Sequence, residues 1–303
     1  MADLTVNLAG VELKNPILTA SGTFGFGEEY TPYMDVSSLG GIGLKALTPY
    51  KKLGNPTPRV VETASGMLNS VGLQNPGVKK FKNEILPRLK GLRTKLIANV
   101  AGACIEDYLK VIEALNDTEI ALYELNISCP NVKKGGVQFG TDPMSAYEIT
   151  QQAKKVAKKP LFVKLTPNVT SIAEMAKAVE EAGADGVSLI NTLTGMAIDP
   201  VKRKPRLANV VGGLSGPCIK PVALRMVYQV AQVVSIPIIG MGGIMCGQDV
   251  AEFMIAGASA VMVGTASIAS PDAPYRILRE FEAFLEEQNI GSARELVGTL
   301  QVG

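Results

Sequence analysis

One cysteine in an irregular stretch is the residue of this chain best suited to chemistry. Cys129 lies in the segment ELNISCPN (124–131), where an apolar run ends and a proline follows directly. A free thiol has a pKa of about 8.5, so part of it ionises near neutral pH and can act as a base or a nucleophile. Free cysteines also serve as small hydrophobes in protein cores. The spacing alone leaves both interpretations of Cys129 open.

Histidine is absent from the chain. This excludes Ser-His-Asp triads, Cys-His dyads and histidine-based metal sites together. A general base must therefore be Cys, Asp, Glu, Lys or Tyr. The other cysteines, Cys104, Cys218 and Cys246, lie far apart in the sequence and are interpreted as packing residues. No zinc-ribbon or iron–sulfur spacing occurs, so we predict no metal site.

The composition is that of an ordinary globular protein. Of its 303 residues 47% are hydrophobic and 19% are charged, with a net charge of +2. This balance gives no electrostatic reason to expect nucleic acid or an acidic membrane as a partner. The first twenty residues lack the pattern of a signal peptide, and no apolar run reaches the roughly 20 residues that span a bilayer. We predict a soluble, cytoplasmic protein whose residues 1–303 form a single domain.

Short apolar runs alternate with segments of helical period, which predicts repeated βα units. The segments 145–159, 171–184 and 222–234 are predicted helices. Eight units in this length predict a TIM (β/α)8 barrel. The alternative, a doubly wound sheet, is disfavoured because the first strand is not followed by a G-x-G-x-x-G fingerprint. The predicted strands are 16–20, 41–45, 96–100, 121–126, 161–165, 186–191, 236–243 and 260–265.

A long insertion separates the second and third predicted strands. It contains GNPTPRVVETASGMLNSVGLQNPG (54–77), which carries both glycines and apolar residues. Connections of this length are usually functional or disordered. We expect an ordered flap over the mouth of the barrel.

Polar residues recur where the predicted strands end. Active sites of TIM barrels lie at the carboxyl ends of the strands, so these side chains should meet at one mouth. Two of them are lysines, which are rarely buried without a partner. They favour an anionic ligand or a catalytic amine. The residues are Ser21, Lys45, Asn99, Asn126, Lys164, Asn191 and Thr192.

Glycines follow the last two predicted strands, in GMGGI (240–244) and VGTAS (263–267). TIM barrels often bind phosphate in these two loops through backbone N–H groups. Gly216, in LSGPCIKP, is expected near the same place. The set favours a phosphorylated substrate or cofactor.

These motifs together resemble the dihydroorotate dehydrogenase family, and its B type in particular. The resemblance covers nearly the whole chain in the expected order, and the pairing of ELNISCPN with GMGG and VGT is specific. It implies a TIM barrel that binds one FMN and oxidises dihydroorotate to orotate in de novo pyrimidine biosynthesis. The segments concerned are NPILTASGTFGFG, GLKALTP, GNPTPR, MLNSVGLQNPG, ELNISCPN, VKLTPNVT, INTLTG, GGLSGPCIKP, IIGMGGI and VGTAS.

The resemblance also implies roles for individual residues. Cys129 would be the base that takes a proton from the ring carbon beside the one that loses a hydride to the flavin. Lys164 would lie near the flavin pyrimidine ring and stabilise its negative charge after reduction. The substrate would be held by Lys45, Asn69, Ser70, Val71, Gly72, Leu73, Asn126, Asn191 and Thr192. The FMN would be held by Ser21, Lys45, Ala46, Asn99, Asn126, Lys164, Ile190, Gly216, Gly242, Gly243, Gly264 and Thr265.

Reoxidation of the flavin needs a partner. The chain has neither a dinucleotide fingerprint nor iron–sulfur cysteines. The B-type resemblance implies a second subunit, with FAD and a [2Fe–2S] cluster, that passes electrons to NAD. We expect a heterotetramer in which a homodimer of this chain binds two such iron–sulfur flavoprotein subunits.

Four other functions stay open at the level of the sequence. The A-type enzyme of the same family is a homodimer that reduces fumarate. A dihydropyrimidine dehydrogenase activity shares the cysteine motif. A Schiff-base aldolase could use Lys164 or Lys45. A non-catalytic barrel would bind the flavin without reducing it.

Overall fold

The computed structural model describes residues 2–128 and 139–303. Cys129 lies outside the described residues. The strands within them are β1 (Val6–Leu8), β2 (Val11–Leu13), β3 (Ile17–Thr19), β4 (Gly41–Gly43), β5 (Val60–Thr63), β6 (Gly66–Asn69), β7 (Lys95–Val100), β8 (Leu122–Asn126), β9 (Leu161–Lys164), β10 (Gly186–Leu189), β11 (Leu193–Met196), β12 (Ile198–Asp199), β13 (Lys204–Pro205), β14 (Val211–Ser215), β15 (Ile238–Met241) and β16 (Ala260–Val263).

The helices alternate with these strands. Short 3₁₀ turns cover Glu28–Tyr30, Val36–Ser38, Pro217–Ile219 and Ala293–Leu296. The short helix Val78–Lys80 continues as a π-helical turn, Phe81–Ile85, and a 3₁₀ turn, Leu86–Gly91. The α-helices are α1 (Val78–Lys80), α2 (Ile105–Leu115), α3 (Pro143–Val156), α4 (Ile172–Glu181), α5 (Lys220–Ala231), α6 (Gly247–Ile255), α7 (Thr265–Ala269) and α8 (Ala273–Glu287).

Eight parallel strands close into a barrel. Their order around it is β3-β4-β7-β8-β9-β10-β15-β16, and β16 pairs with β3 to close the ring. Each matches one of the eight predicted strands. The predicted TIM barrel is therefore confirmed, and every strand directs its carboxyl end to the same mouth.

Burial on two sides explains the composition of the barrel strands. Strands β9, β10, β15 and β16 are buried at every residue, because side chains fill the barrel on one side and helices cover it on the other. The helices bury one stripe each; α8, for example, buries Ile277, Phe281 and Leu285 at a spacing of four residues. Among the described residues, no helix is both long enough and apolar enough to cross a bilayer.

A second, four-stranded antiparallel sheet accompanies the barrel, in the order β11-β14-β6-β5. Strands β5 and β6 come from the predicted insertion between the second and third barrel strands, so the flap is confirmed. Strands β11 and β14 come from a second insertion, after β10, that the sequence did not predict. Their sequences, LTGM and VGGLS, lack apolar alternation, and β14 pairs with β6 far away in the chain. Val61, Leu68 and Leu207 form the small core of this sheet.

Asn15 joins two early segments of the barrel. Its side chain is buried and accepts hydrogen bonds from the N–H groups of Ile17 (3.1 Å) and Gly40 (2.9 Å), and it donates to the carbonyl of Ser38 (2.8 Å). The chain entering β3 is thus fixed against the chain entering β4. Buried amides without partners are costly, so these contacts matter for stability.

We expect Asn15→Ala to lower the free energy of unfolding by about 2–4 kcal/mol, because it leaves buried N–H and C=O groups without partners. Urea denaturation followed by circular dichroism measures this loss. Asn7→Ala is the matched control, since exposed Asn7 accepts one hydrogen bond from Gly10 at the turn between β1 and β2. A loss at Asn15 no larger than that at Asn7 would contradict the assignment.

Candidate active site

A cavity opens to solvent at the carboxyl ends of the barrel strands. Its wall combines the ends of β3, β9, β10, β15 and β16 with residues of the small sheet. Of the predicted site residues, those that line it are Asn69, Val71, Lys164, Ile190, Asn191, Thr192, Gly216, Gly242, Gly243, Gly264 and Thr265.

A buried charged cluster lies beneath this cavity. Lys164, 6% exposed, lies 3.8 Å from the carboxylate of the fully buried Glu124. The same carboxylate accepts hydrogen bonds from the amide of Asn99 (2.5 Å) and the hydroxyl of Ser188 (2.7 Å). Each oxygen of Glu124 therefore has a partner, as a buried charge requires. The cluster joins four adjacent barrel strands, β7 to β10.

Lys45 adds a second cation close to this cluster. It follows β4, and its backbone N–H donates to the carbonyl of Gly25 at 2.8 Å. Burial, and secondarily the nearby Lys164 ammonium, lowers the pKa of Lys45 below its usual range. A bound anion would offset both effects. The two lysines thus favour a negatively charged ligand at this end of the barrel.

Asn126 connects the charged cluster to the segment that holds the cysteine. Its amide donates to the side-chain oxygen of Asn99 at 3.3 Å, and its own oxygen accepts from the N–H of Ser128, also at 3.3 Å. The Ser128 hydroxyl donates to the carbonyl of Lys164 at 3.1 Å. The residue before Cys129 is therefore fixed to the end of β9, next to a residue that lines the cavity.

The loop from Asn69 to Leu73 is held by side chains outside the cavity. Asn55 donates its amide to the carbonyl of Ser70 at 3.0 Å, and the Asn75 amide donates to the carbonyl of Leu73 at 2.7 Å. Gly72 and Leu73 both have positive φ, which fixes a tight turn here. Within this loop Asn69 and Val71 line the cavity, whereas Ser70, Gly72 and Leu73 are not part of its wall.

The chain after β10 turns sharply at Asn191 and Thr192. The Asn191 side chain accepts from the N–H of Thr192 at 2.8 Å, and the amide of Asn168 donates to the Thr192 carbonyl at 3.0 Å. Asn168, which the sequence did not single out, therefore fixes the backbone of a residue in the cavity wall. Both Asn191 and Thr192 are predicted substrate ligands.

Glycine is needed at two positions of the cavity wall because a side chain there would clash with its neighbours. Gly242 has a φ of +127°, and a Cβ there would lie 2.8 Å from the Cβ of Ala223. Gly243 has a φ of +78°, and a Cβ there would lie 2.8 Å from the backbone nitrogen of Lys220. The wall thus keeps backbone exposed to the cavity, as phosphate binding requires.

The remaining predicted residues lie around the cavity rather than in its wall. Ser21 is buried between the lining residues Ala20 and Gly22, and Ala46 is buried next to Lys45. Asn99 is linked to Lys164 of the cavity wall through Glu124, and Asn126 is linked to Asn99. The sequence did not predict Glu124, although a glutamate two residues before Asn126 shares its face of the strand.

Comparison with known proteins identifies the family. A sequence model of dihydroorotate dehydrogenase matches residues 3–285. The chain belongs to the dihydroorotate dehydrogenase family. It is 58% identical over 298 residues to the protein of Alkaliphilus metalliredigens named "Dihydroorotate dehydrogenase B (NAD(+)), catalytic subunit". The aligned residues are 98% of this chain and 99% of that relative.

Two further relatives of this family carry the same name. The Oceanobacillus iheyensis protein is 56% identical over 296 residues, 97% of each chain. The Bacteroides fragilis protein is 52% identical over 303 residues, the full length of both. These relatives confirm the resemblance to the B type of the dihydroorotate dehydrogenase family.

We expect Lys45→Met to stabilise the flavin-free protein at neutral pH, because it removes a cation that burial disfavours. A lysine whose pKa is lowered on folding binds fewer protons in the folded state than in the unfolded state. The stability lost by burying the charged lysine is therefore complete below the folded-state pKa. This loss disappears as the pH rises through the unfolded-state pKa of about 10.5. The advantage of the variant should shrink over that window in urea denaturation.

The exposed Lys51 provides the control for this measurement. Lys51→Met removes a cation of the same size that burial does not affect. A stability difference at Lys45 that does not change with pH, or that Lys51→Met reproduces, would refute the explanation.

Proposed function

We propose that this chain is the catalytic subunit of an NAD-linked dihydroorotate dehydrogenase, a flavin-dependent oxidoreductase of pyrimidine biosynthesis. It oxidises dihydroorotate to orotate. One observation carries the proposal. The cavity at the barrel mouth of this chain has Lys164 in its wall and Lys45 close by. Dihydroorotate has a carboxylate and ring amides, which lysine and asparagine side chains recognise by charge and by hydrogen bonds.

FMN fits the residues present. The cavity wall combines the Lys164 ammonium with glycines where a side chain would clash with its neighbours, as at Gly243. Bound FMN supplies a two-electron acceptor for the hydride that the substrate loses. Gly216, Gly242, Gly243, Gly264 and Thr265 would hold its phosphate through backbone N–H groups and a hydroxyl. Lys164 would offset negative charge on its ring, and Ser21, Ala46 and Ile190 would complete the contact.

The chain's own residues then have distinct tasks. Cys129 takes the proton from the substrate carbon beside the one that loses the hydride. Asn69, Asn126 and Asn191 orient the substrate by hydrogen bonds to its amide groups, and Lys45 binds its carboxylate. The small sheet, which supplies Val60 and Met67 to the cavity wall, excludes water from one side.

Electron transfer beyond the flavin belongs to a partner in this proposal. The relatives are named as catalytic subunits, which supports a complex with at least one other kind of subunit. We propose that this partner carries FAD and a [2Fe–2S] cluster and that two copies bind a homodimer of this chain. A cytoplasmic location stays a prediction. So does the single domain, which the continuous apolar core of the described residues supports.

Anaerobic addition of dihydroorotate should bleach the flavin of the wild-type protein. We expect Cys129→Ala to bleach at least about 100-fold more slowly with FMN still bound, because a positioned general base contributes about 10²–10⁴-fold. Stopped-flow absorbance of the flavin band measures both rates. Cys104→Ala, at the start of α2, is the matched control and should keep the wild-type rate.

Two results of this experiment would count against the proposal. Equal rates for Cys129→Ala and wild type would refute the base assignment. A protein that binds FMN yet is not bleached by dihydroorotate would refute the activity itself. A Schiff-base aldolase would release no flavin at all on denaturation.

NAD reduction should require the partner subunit. The isolated chain is expected to oxidise dihydroorotate with an artificial dye but not with NAD, because its flavin has no route to the nucleotide. Adding the purified electron-transfer subunit should restore NADH formation, measured at 340 nm as an absorbance change. NADH formation by the isolated chain would contradict this division, and turnover with fumarate would point to the A type.

A further inference from the structure

Glu124 is the buried carboxylate that the proposed chemistry leaves unused. It is fully buried, lies beneath the cavity and is not part of the cavity wall. The buried charged residues in the described part of the chain are Glu124, Lys164 and Asp249, and Asp249 pairs with Lys220 elsewhere. Glu124 is thus the negative charge that lies against the lysine of the cavity floor.

Three contacts fix the position of this carboxylate. One oxygen accepts from Ser188 of β10, and the other accepts from Asn99 of β7 and faces the Lys164 ammonium at 3.8 Å. Two neutral donors and one cation therefore surround the carboxylate, and both of its oxygens have partners. Its position is also independent of the ligand, because all of its contacts come from barrel strands.

The separation between Glu124 and Lys164 is informative. At 3.8 Å the pair attract each other without the short contact of a closed ion pair, whereas Lys220 and Asp249 lie 2.7 Å apart. Lys164 lines the cavity and therefore remains available to a ligand. Glu124 lies against the Lys164 ammonium on the side away from the cavity. The two lysines, Lys164 and Lys45, carry a charge of +2, and the Glu124 carboxylate brings the group to +1.

We propose that Glu124 sets the reduction potential of the bound flavin by offsetting the positive charge of Lys164 and Lys45. Two uncompensated lysines would stabilise the negative charge of reduced flavin strongly, since charge interactions are large in a site screened from water. The carboxylate weakens that effect and keeps the potential low, which favours passing electrons onward. This inference rests on the proposed function, because it needs FMN in the cavity.

Glu124→Gln is the direct test, since it removes the charge and keeps the shape of the side chain. We expect the reduction potential of the bound FMN to rise, with the equilibrium constant for reduction increasing about tenfold, or about 30 mV for a two-electron couple. Equilibration with a reference dye under anaerobic conditions measures it. Glu124→Asp keeps the charge and should stay close to wild type.

Ser188→Ala is the matched control, because it removes a hydrogen bond to the same carboxylate without changing the charge. A potential that rises equally in Ser188→Ala and Glu124→Gln would show a packing effect and overturn the proposal. So would an unchanged potential in a Glu124→Gln protein that binds FMN fully. Failure of the wild type to bind FMN would instead refute the proposed function, so the two failures are distinguishable.

A second background keeps the test decisive if Glu124→Gln does not fold. The second test adds Glu124→Gln to the Lys164→Gln variant. Because both partners are then replaced, no buried lysine is left without its carboxylate, which would be the destabilising outcome. The double variant should have a higher flavin potential than Lys164→Gln alone. Equal potentials in this pair would also overturn the proposal.

Discussion

A carboxylate buried between asparagine, serine and lysine is the interaction on which the candidate site depends. Removing charges from water is costly, and the cost is met only where each charge has partners in fixed positions. Glu124 meets this condition through contacts from three neighbouring strands. A closed parallel barrel provides such rigid positions, because each strand is held on both sides. The position of Lys164 in the cavity floor follows from that frame.

The small antiparallel sheet supplies the other side of the site. It combines the insertion after β4 with the insertion after β10, so two segments far apart in the sequence pair over one face of the barrel mouth. Val61, Leu68 and Leu207 form its own small apolar core. The cavity wall therefore combines the ends of barrel strands with residues of the inserted sheet, and the residues expected to hold substrate come from both.

Charge and backbone divide the cavity into two regions. Lys45, Asn126 and Lys164 lie at or just after the ends of β4, β8 and β9, whereas glycines of the cavity wall follow β14, β15 and β16. The first region suits a carboxylate and ring amides, and the second suits a phosphate. This division, together with membership in the dihydroorotate dehydrogenase family, is consistent with the two ligands proposed above, a flavin mononucleotide and a small cyclic acid.

The sequence by itself determined the barrel, because eight apolar runs separated by helical periods are a local signal that needs no knowledge of distant contacts. It also predicted the polar strand ends, since their type and position can be counted along the chain. Only the tertiary structure decided the role of Glu124 and the pairing of β14 with β6. A glutamate within an apolar strand does not reveal its partners, and glycine-rich strands such as VGGLS carry no alternation. Both depend on contacts between residues far apart in the chain, which only folding brings together.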